Sequence, residues 1–237
     1  MVIIFVILVN ASLVVNTEEI VRKQNIPIGA EQVPDFGVVI GQGNKIPAYS
    51  CQNDTQHIAD LPHYLQPQES GLNQTVYVGM RYQCVHYARY YWILKYASAF
   101  PDIDTADQIF DLDFAYDYLN GGKRQILQFK NGGKEKPLPG DLVIWNKSEP
   151  YYPFGHVAVV LDVQLSEDHP FVTIGEQNYD DIWDSQYYAR KLQVTKNDLG
   201  NYYIVNKREI TNLHPSEKCR DYSGSANDAI IGWVRLI

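Results

Sequence analysis

The chain reads as an α+β domain because its helical and strand periodicities are segregated instead of alternating. Over residues 81–100 turn formers vanish and Val85, Ala88, Trp92 and Tyr96 recur at three- or four-residue steps, the mark of a buried helical face. Further along, residues 142–145, 156–162, 171–178, 187–194 and 230–236 are β-branched or aromatic runs bounded by turn residues. That pattern predicts an antiparallel sheet. Helices first and strands later favour a helix packed on a sheet over repeated βαβ units.

The remaining segments fit around these elements. Residues 17–79 are dense in Pro, Gly, Asn and Gln, which predicts a wrapping segment of loops with one strand near residues 36–40. A second helix is expected over residues 104–119, ended by Asn120-Gly121-Gly122, residues tolerant of left-handed backbone. Residues 137–140, Pro-Leu-Pro-Gly, then open the sheet.

A chain of 237 residues with 45% hydrophobic and 20% charged content has the size and composition of one folded catalytic domain, expected over residues 17–237. The net charge of −8 argues against nucleic acid as a partner, since displacing phosphate counterions needs a basic surface. Residues 1–16 carry no charged side chain and are apolar from residue 2 to residue 9, too short to span a bilayer. They read as a signal peptide, and no later run is long enough for a membrane span. Export to a secreted or lumenal compartment, endomembrane or vacuolar, is expected. Sequons at Asn53, Asn73 and Asn146 would be glycosylation acceptors there.

The chemistry centres on two local patterns. Cys84 falls in the first turn of the helix over residues 81–100, where unpaired N–H groups and a partial positive charge favour a thiolate. His156 opens one strand and the next ends in Gly175-Glu176-Gln177-Asn178. Folding that hairpin about residues 166–167 puts His156 opposite residues 176–178, and a period of two puts Glu176 and Asn178 on one face. A carboxylate or an amide at that place would take one imidazole N–H and leave the other nitrogen for a thiol. Three cysteines, Cys51, Cys84 and Cys219, are an odd set, which in an oxidising compartment suggests one disulfide and one free thiol.

Four blocks occur in order: Gln83-Cys84-Val85-His86-Tyr87-Ala88-Arg89, Pro139-Gly140-Asp141-Leu142-Val143-Ile144-Trp145, Gly155-His156-Val157-Ala158-Val159-Val160 and Glu176-Gln177-Asn178. Together they resemble a CHAP-type cysteine amidase domain. More narrowly, with Phe36-Gly37-Val38-Val39-Ile40-Gly41 and Ile231-Gly232-Trp233, the chain is similar to the amidase half of glutathionylspermidine and trypanothione synthetase/amidases. The resemblance spans residues 35–235. It implies a papain-like fold of the CHAP and NlpC type, with Cys84 as nucleophile, His156 as base and Glu176 orienting His156. It further implies supporting roles for Gln83 and Asn178, with Gln83 and the Cys84 N–H in an oxyanion hole, and an anion-binding role for Arg89. Reserving Cys84 for attack would leave Cys51 and Cys219 to pair.

Two departures stand out. His86 occupies the position where the family motif usually has Glu, and 237 residues leave no room for an ATP-dependent ligase, nor is a complete phosphate loop present. No nucleotide and no cofactor are therefore expected. Gly41-Gln42-Gly43 lacks the rest of a dinucleotide fingerprint, and no G-x-S-x-G occurs. The acidic residues from Asp102 to Asp117 miss calcium-loop spacing, and His57 and His63 lack metal-ligand spacing. Three function classes remain: hydrolysis of a peptide–polyamine conjugate, hydrolysis of a peptidoglycan peptide, and a catalytically silent binding domain.

Overall fold

In one short strand, Leu142–Trp145, Leu142 and Ile144 face one apolar cluster while Val143 and Trp145 face another. A strand buried on both faces reads as a continuous hydrophobic run, and this one lies at the middle of a nine-stranded sheet. The computed structural model describes residues 34–55, 61–148, 152–166, 168–179, 181–205 and 230–237. The expected leader, His57 and Cys219, hence the Cys51–Cys219 pairing, lie outside the described residues.

The described elements begin with β1 (Val39–Gly43) and β2 (Ile46–Tyr49), which form a hairpin of their own. A second hairpin joins β3 (Pro62–Leu65) to β4 (Val76–Met80) around the short helix α1 (Pro67–Ser70). Helix α2 (Cys84–Tyr96) follows. The large sheet comprises β5 (Ser98–Ala99), β6 (Phe114–Asp117), β7 (Lys123–Lys130), β8 (Leu142–Trp145), β9 (His156–Gln164), β10 (Phe171–Gly175), β11 (Arg190–Lys196), β12 (Tyr202–Val205) and β13 (Ile230–Leu236). Its order is β12-β11-β10-β9-β8-β13-β7-β6-β5, and every pairing is antiparallel. The chain is thus a sheet-rich α+β protein.

Helix α2 forms where expected. Tyr87, Ala88, Tyr91 and Trp92 are buried in the cluster that also takes Val157, Val159 and Leu161 of β9. Burying a large apolar side chain in such a setting contributes about 1.5–3 kcal/mol. Trp92 also donates its indole N–H to the Gly140 carbonyl, 3.0 Å away, which ties the helix to the turn that opens β8. Ala97, with φ 49°, stops the helix.

The expected helix over residues 104–119 is corrected. Thr105 and Gln108 form a capping box, so the start signal is real, but it yields only the 3-10 turn Ala106–Asp111. Phe114–Asp117 then extends and pairs with β7. Asn120-Gly121-Gly122 is the turn between β6 and β7, with φ of 75° and 84° at the two glycines and Asp117 N–H donating to the Gly122 carbonyl. Left-handed glycines serve a hairpin turn as well as a helix end. The wrapping segment likewise holds four strands, β1 to β4, where one was expected.

Candidate active site

Cys84 is the first residue of α2, and Gln83, with extended backbone, is its N-cap. The Cys84 N–H therefore belongs to the first turn, whose donors have no partner within the helix. The thiol is half-buried, and it lies near enough to His156 to raise the imidazole. His156 heads β9 opposite Trp145 of β8. It is packed between the Trp145, Tyr152 and Tyr179 rings, with centroids 5.3, 6.0 and 5.4 Å away.

Glu176 follows the last residue of β10, and its Oε2 lies 2.8 Å from His156 Nε2. The expected hairpin is present: β9 and β10 pair with Gly175 opposite Val159, so the chain leaves the strand beside the start of β9. Burial pushes the Glu176 carboxyl upward, but the charges of Arg190 and His156 and their hydrogen bonds outweigh it and bring it down to about 2. An ionised carboxylate only accepts, so His156 Nε2 carries the proton of this bond and Nδ1 is left for the thiol. Burial lowers the imidazole, yet hydrogen bonds to Cys84 and Glu176, with their charges, raise it to about 9.

Arg190 completes the group. On β11 it shares the inward face with Leu192 and Val194, opposite Ile174 of β10. Its Nε donates to Glu176 Oε1 at 2.6 Å and its Nη2 to Oε2 at 3.1 Å. The guanidinium lies 4.0 Å from the Tyr179 ring centroid and 5.5 Å from that of Trp145. A second support comes from Trp183, whose indole N–H donates to the Glu176 carbonyl at 3.0 Å. Gly41 makes room for that indole, since a Cβ there would sit 2.1 Å from the ring.

Asn178 donates from Nδ2 to Gln83 Oε1. The Gln83 acceptor is thus engaged while its own amide hydrogens take no part in that bond. Asn178 Oδ1 accepts from Cys51 Sγ, 3.0 Å away, which brings a second cysteine close to Cys84. Burial, with the nearby charges of Asp181, Cys84 and Asp54, pushes the Cys51 thiol up to about 12. Cys51 is held as a hydrogen-bond donor.

Of the six residues singled out in the sequence, five converge: Gln83, Cys84, His156, Glu176 and Asn178. Arg89 does not join them. Its side chain is 4% exposed and paired with Asp102 at 3.1 Å, and its guanidinium lies over Tyr77 and Phe100. Sequence reasoning missed Arg190 and Cys51. Period two with Leu192 and Val194 puts Arg190 inside, and an inward arginine calls for an acid. Cys51 gives no local signal, because 127 residues separate it from Asn178.

His86 lies on α2, fully buried. Its Nε2 is 2.7 Å from His63 Nδ1 and its Nδ1 is 3.4 Å from Gln177 Nε2. Gln177 Oε1 accepts the Tyr49 N–H at 3.1 Å, so the Gln177 amide must donate to His86, and His86 in turn donates to His63. Burial, then the positive charges of His63, Arg81 and Arg89, hold His86 well below 6.5.

Residues 75–178 match the CHAP domain family. The bifunctional glutathionylspermidine synthetase/amidase of Escherichia coli (strain K12) is 32% identical over 120 residues, 50% of this chain and 19% of that protein. The trypanothione synthetase of Crithidia fasciculata is 32% identical over 161 residues, 67% of this chain and 22% of the relative. The glutathionylspermidine synthase of Crithidia fasciculata is 29% identical over 208 residues, covering 86% and 25%. The chain spans a quarter or less of these relatives. The Cys84 helix and the His156 strand both lie inside the segment that matches the CHAP domain family, and the chain is similar to part of the glutathionylspermidine and trypanothione synthetases.

Proposed function

We propose that this chain is a cysteine-dependent hydrolase of amide bonds, with Cys84 as nucleophile, His156 as proton carrier and Glu176 as the anchor of His156. The observation that carries the reading is the His156 imidazole held at 2.8 Å by an ionised, buried Glu176 and raised by the Cys84 side chain beside it. The family match and a relative named as an amidase support it. A helix bearing the nucleophile against an antiparallel sheet bearing the base is papain-like in plan.

The steps follow from the groups present. His156 Nδ1 takes the Cys84 proton, and the thiolate attacks the amide carbonyl carbon to form the new S–C bond. Negative charge develops on the carbonyl oxygen, where the Cys84 N–H and the Gln83 amide supply donors. The imidazolium then protonates the leaving nitrogen as the C–N bond breaks, leaving a thioester and a free amine. Water, deprotonated by His156, attacks the thioester and releases the acid and the thiol. Glu176 holds the imidazolium throughout. Asn178 positions Gln83 through their shared hydrogen bond.

For the substrate we favour a peptide–polyamine conjugate of the glutathionylspermidine type, on the strength of the relatives' names and the net charge of −8, which attracts cations. Export through the leader is part of the reading, and it makes peptidoglycan peptides the competing substrate. The full chain is incubated with glutathionylspermidine and, separately, with peptidoglycan fragments, and released amine is read by mass spectrometry with Cys84→Ala as control. Release of spermidine by the wild type alone is expected. Release from peptidoglycan alone replaces the substrate, while equal release by Cys84→Ala sinks the mechanism.

A further inference from the structure

We propose that Arg190 is a positioning residue for the hydrolysis: its guanidinium grips both oxygens of Glu176 and so fixes the carboxylate to which His156 is anchored. The inference rests on the reading of Cys84, His156 and Glu176 as the reacting set and adds a fourth member to it.

Geometry gives Arg190 this part. Glu176 Oε2 takes two donors, His156 Nε2 at 2.8 Å and Arg190 Nη2 at 3.1 Å, and Oε1 takes Arg190 Nε at 2.6 Å. Of these three bonds the two from the guanidinium define the carboxylate plane, because a planar fork matches a carboxylate in one orientation only. The imidazole contributes a single point of contact and adopts the plane it is offered. The arginine is itself immobilised, with side chains on both sides of the ion pair 4% exposed and the Tyr179 and Trp145 rings packed on the guanidinium.

The same bonds decide which group holds the proton. Burial alone raises the Glu176 carboxyl, and the Arg190 charge is the largest effect opposing it. Without that cation a buried carboxylate facing an imidazolium can take the proton and give a neutral pair. Glu176 would then cease to stabilise the imidazolium, and the thiolate would lose its counter-ion. Arg190 keeps the negative charge on Glu176 and so keeps the imidazolium available to Cys84. Its cost is repulsion between two cations, which the shared anion between them offsets.

The test reads the thiol directly and needs no substrate. Full-length wild type, Arg190→Met and Arg190→Lys are alkylated with iodoacetamide across pH 4–9, and the Cys84 peptide is quantified by mass spectrometry, apart from Cys51 and Cys219. In Arg190→Met the acid limb of Cys84 reactivity is expected to move up by roughly one pH unit or more, with a plateau roughly a hundredfold lower. Arg190→Lys keeps a charge without the fork, so its acid limb should stay near the wild-type position while its plateau falls roughly tenfold. A structural role alone would lower the folded fraction at every pH without moving the limb. Should Arg190→Met fail to fold, the Lys variant decides, and a wild-type plateau there overturns the proposal. A superimposable Arg190→Met profile overturns it too. Failure of the hydrolase reading is separate: wild type then releases no amine, while its alkylation profile still answers for Arg190.

Discussion

His156 and His86 are both buried, both within reach of the helix that begins at Cys84, and they are driven in opposite directions. His156 is raised to about 9, whereas His86 is held well below 6.5. Burial depresses both alike, since it disfavours the charged form of any imidazole. The difference lies in the partners. His156 faces a carboxylate that Arg190 keeps ionised, and an anion at hydrogen-bond distance outweighs desolvation. His86 faces an amide and a second imidazole, which offer hydrogen bonds but no negative charge. One region is a nest of alternating charges on the Trp145 side of the sheet. The other is a neutral relay, from Tyr49 through Gln177 and His86 to His63, that joins the β2 end, the segment after β10 and the β3–β4 hairpin. A histidine next to a nucleophile becomes a base only if something first secures its anion.

The comparison breaks most sharply at His156. His156→Ala should lower turnover on the order of ten-thousandfold or more, because it removes proton carrier and counter-ion at once. Cys84→Ala should do the same with the melting transition almost unchanged, since little volume is lost. Steady-state release of amine, with circular dichroism for the fold, checks both. Glu176→Gln comes next and acts twice. The amide still accepts a bond from the ring, so residual turnover should exceed that of His156→Ala. It also strands the Arg190 cation, and removing one partner of a buried ion pair costs about 3–5 kcal/mol. Urea unfolding should therefore show a large loss of stability in Glu176→Gln. Equal and complete loss of activity in the two variants would argue against an orienting role for Glu176.

On the neutral side the effect should fall on stability and leave the chemistry alone. His86→Ala leaves the buried Gln177 amide and the half-exposed His63 Nδ1 without their partner and opens a cavity among Tyr82, Tyr90 and His63. Together these cost about 3 kcal/mol. The pH profile of Cys84 alkylation should keep its wild-type shape in folded His86→Ala, as it would not in His156→Ala. A shifted profile would mean that the two histidines form one coupled system.

How much of this was legible in the sequence depended on how local each relation was. Glu176 could be placed near His156 because a hairpin joins them, and the period of a strand does the counting. Cys84 and Gln83 could be placed at a helix start because turn formers end and a helical face begins there. Asn178 came with the same hairpin. Strands β6, β7 and β12 were missed because Lys123–Lys130 has exposed or half-exposed side chains at all but one position and Tyr202–Val205 is a short edge strand. Edge strands carry polar faces and look like loops. Partners supplied by distant segments left no local trace: His63 reaches His86 from a hairpin outside the main sheet, and Cys51 reaches Asn178 from the wrapping segment. Arg190 stands between these cases, legible by the parity of β11 but not by pairing, since nothing in a strand's own pattern says which acid lies on the next strand.

The smallest expected effect is also the one that reads both histidines in a single experiment, the pH dependence of stability. His156 has a folded value of about 9 against 6.5, so the folded state holds its proton more tightly. Its contribution is complete below pH 6.5 and is lost as pH rises through 9. His86 has a folded value below 6.5, so the unfolded chain binds the proton more tightly. Its contribution is complete above pH 6.5 and is lost as pH falls. Each group accounts for a slope of at most about 1.4 kcal/mol per pH unit. Urea midpoints of the wild type should therefore decline on both sides of a maximum near pH 6.5. In Glu176→Gln the alkaline decline should flatten, because His156 loses the anion that raises it, and the acid decline from His86 should persist. In His86→Ala the reverse should hold, with a shallower acid side left to half-exposed His63, itself lowered by burial, and, below pH 4.5, to Glu176, whose carboxyl is held down at about 2, and an alkaline side unchanged. Midpoints that respond to both substitutions on the same side of the maximum would show that the charged nest and the neutral relay titrate as one unit.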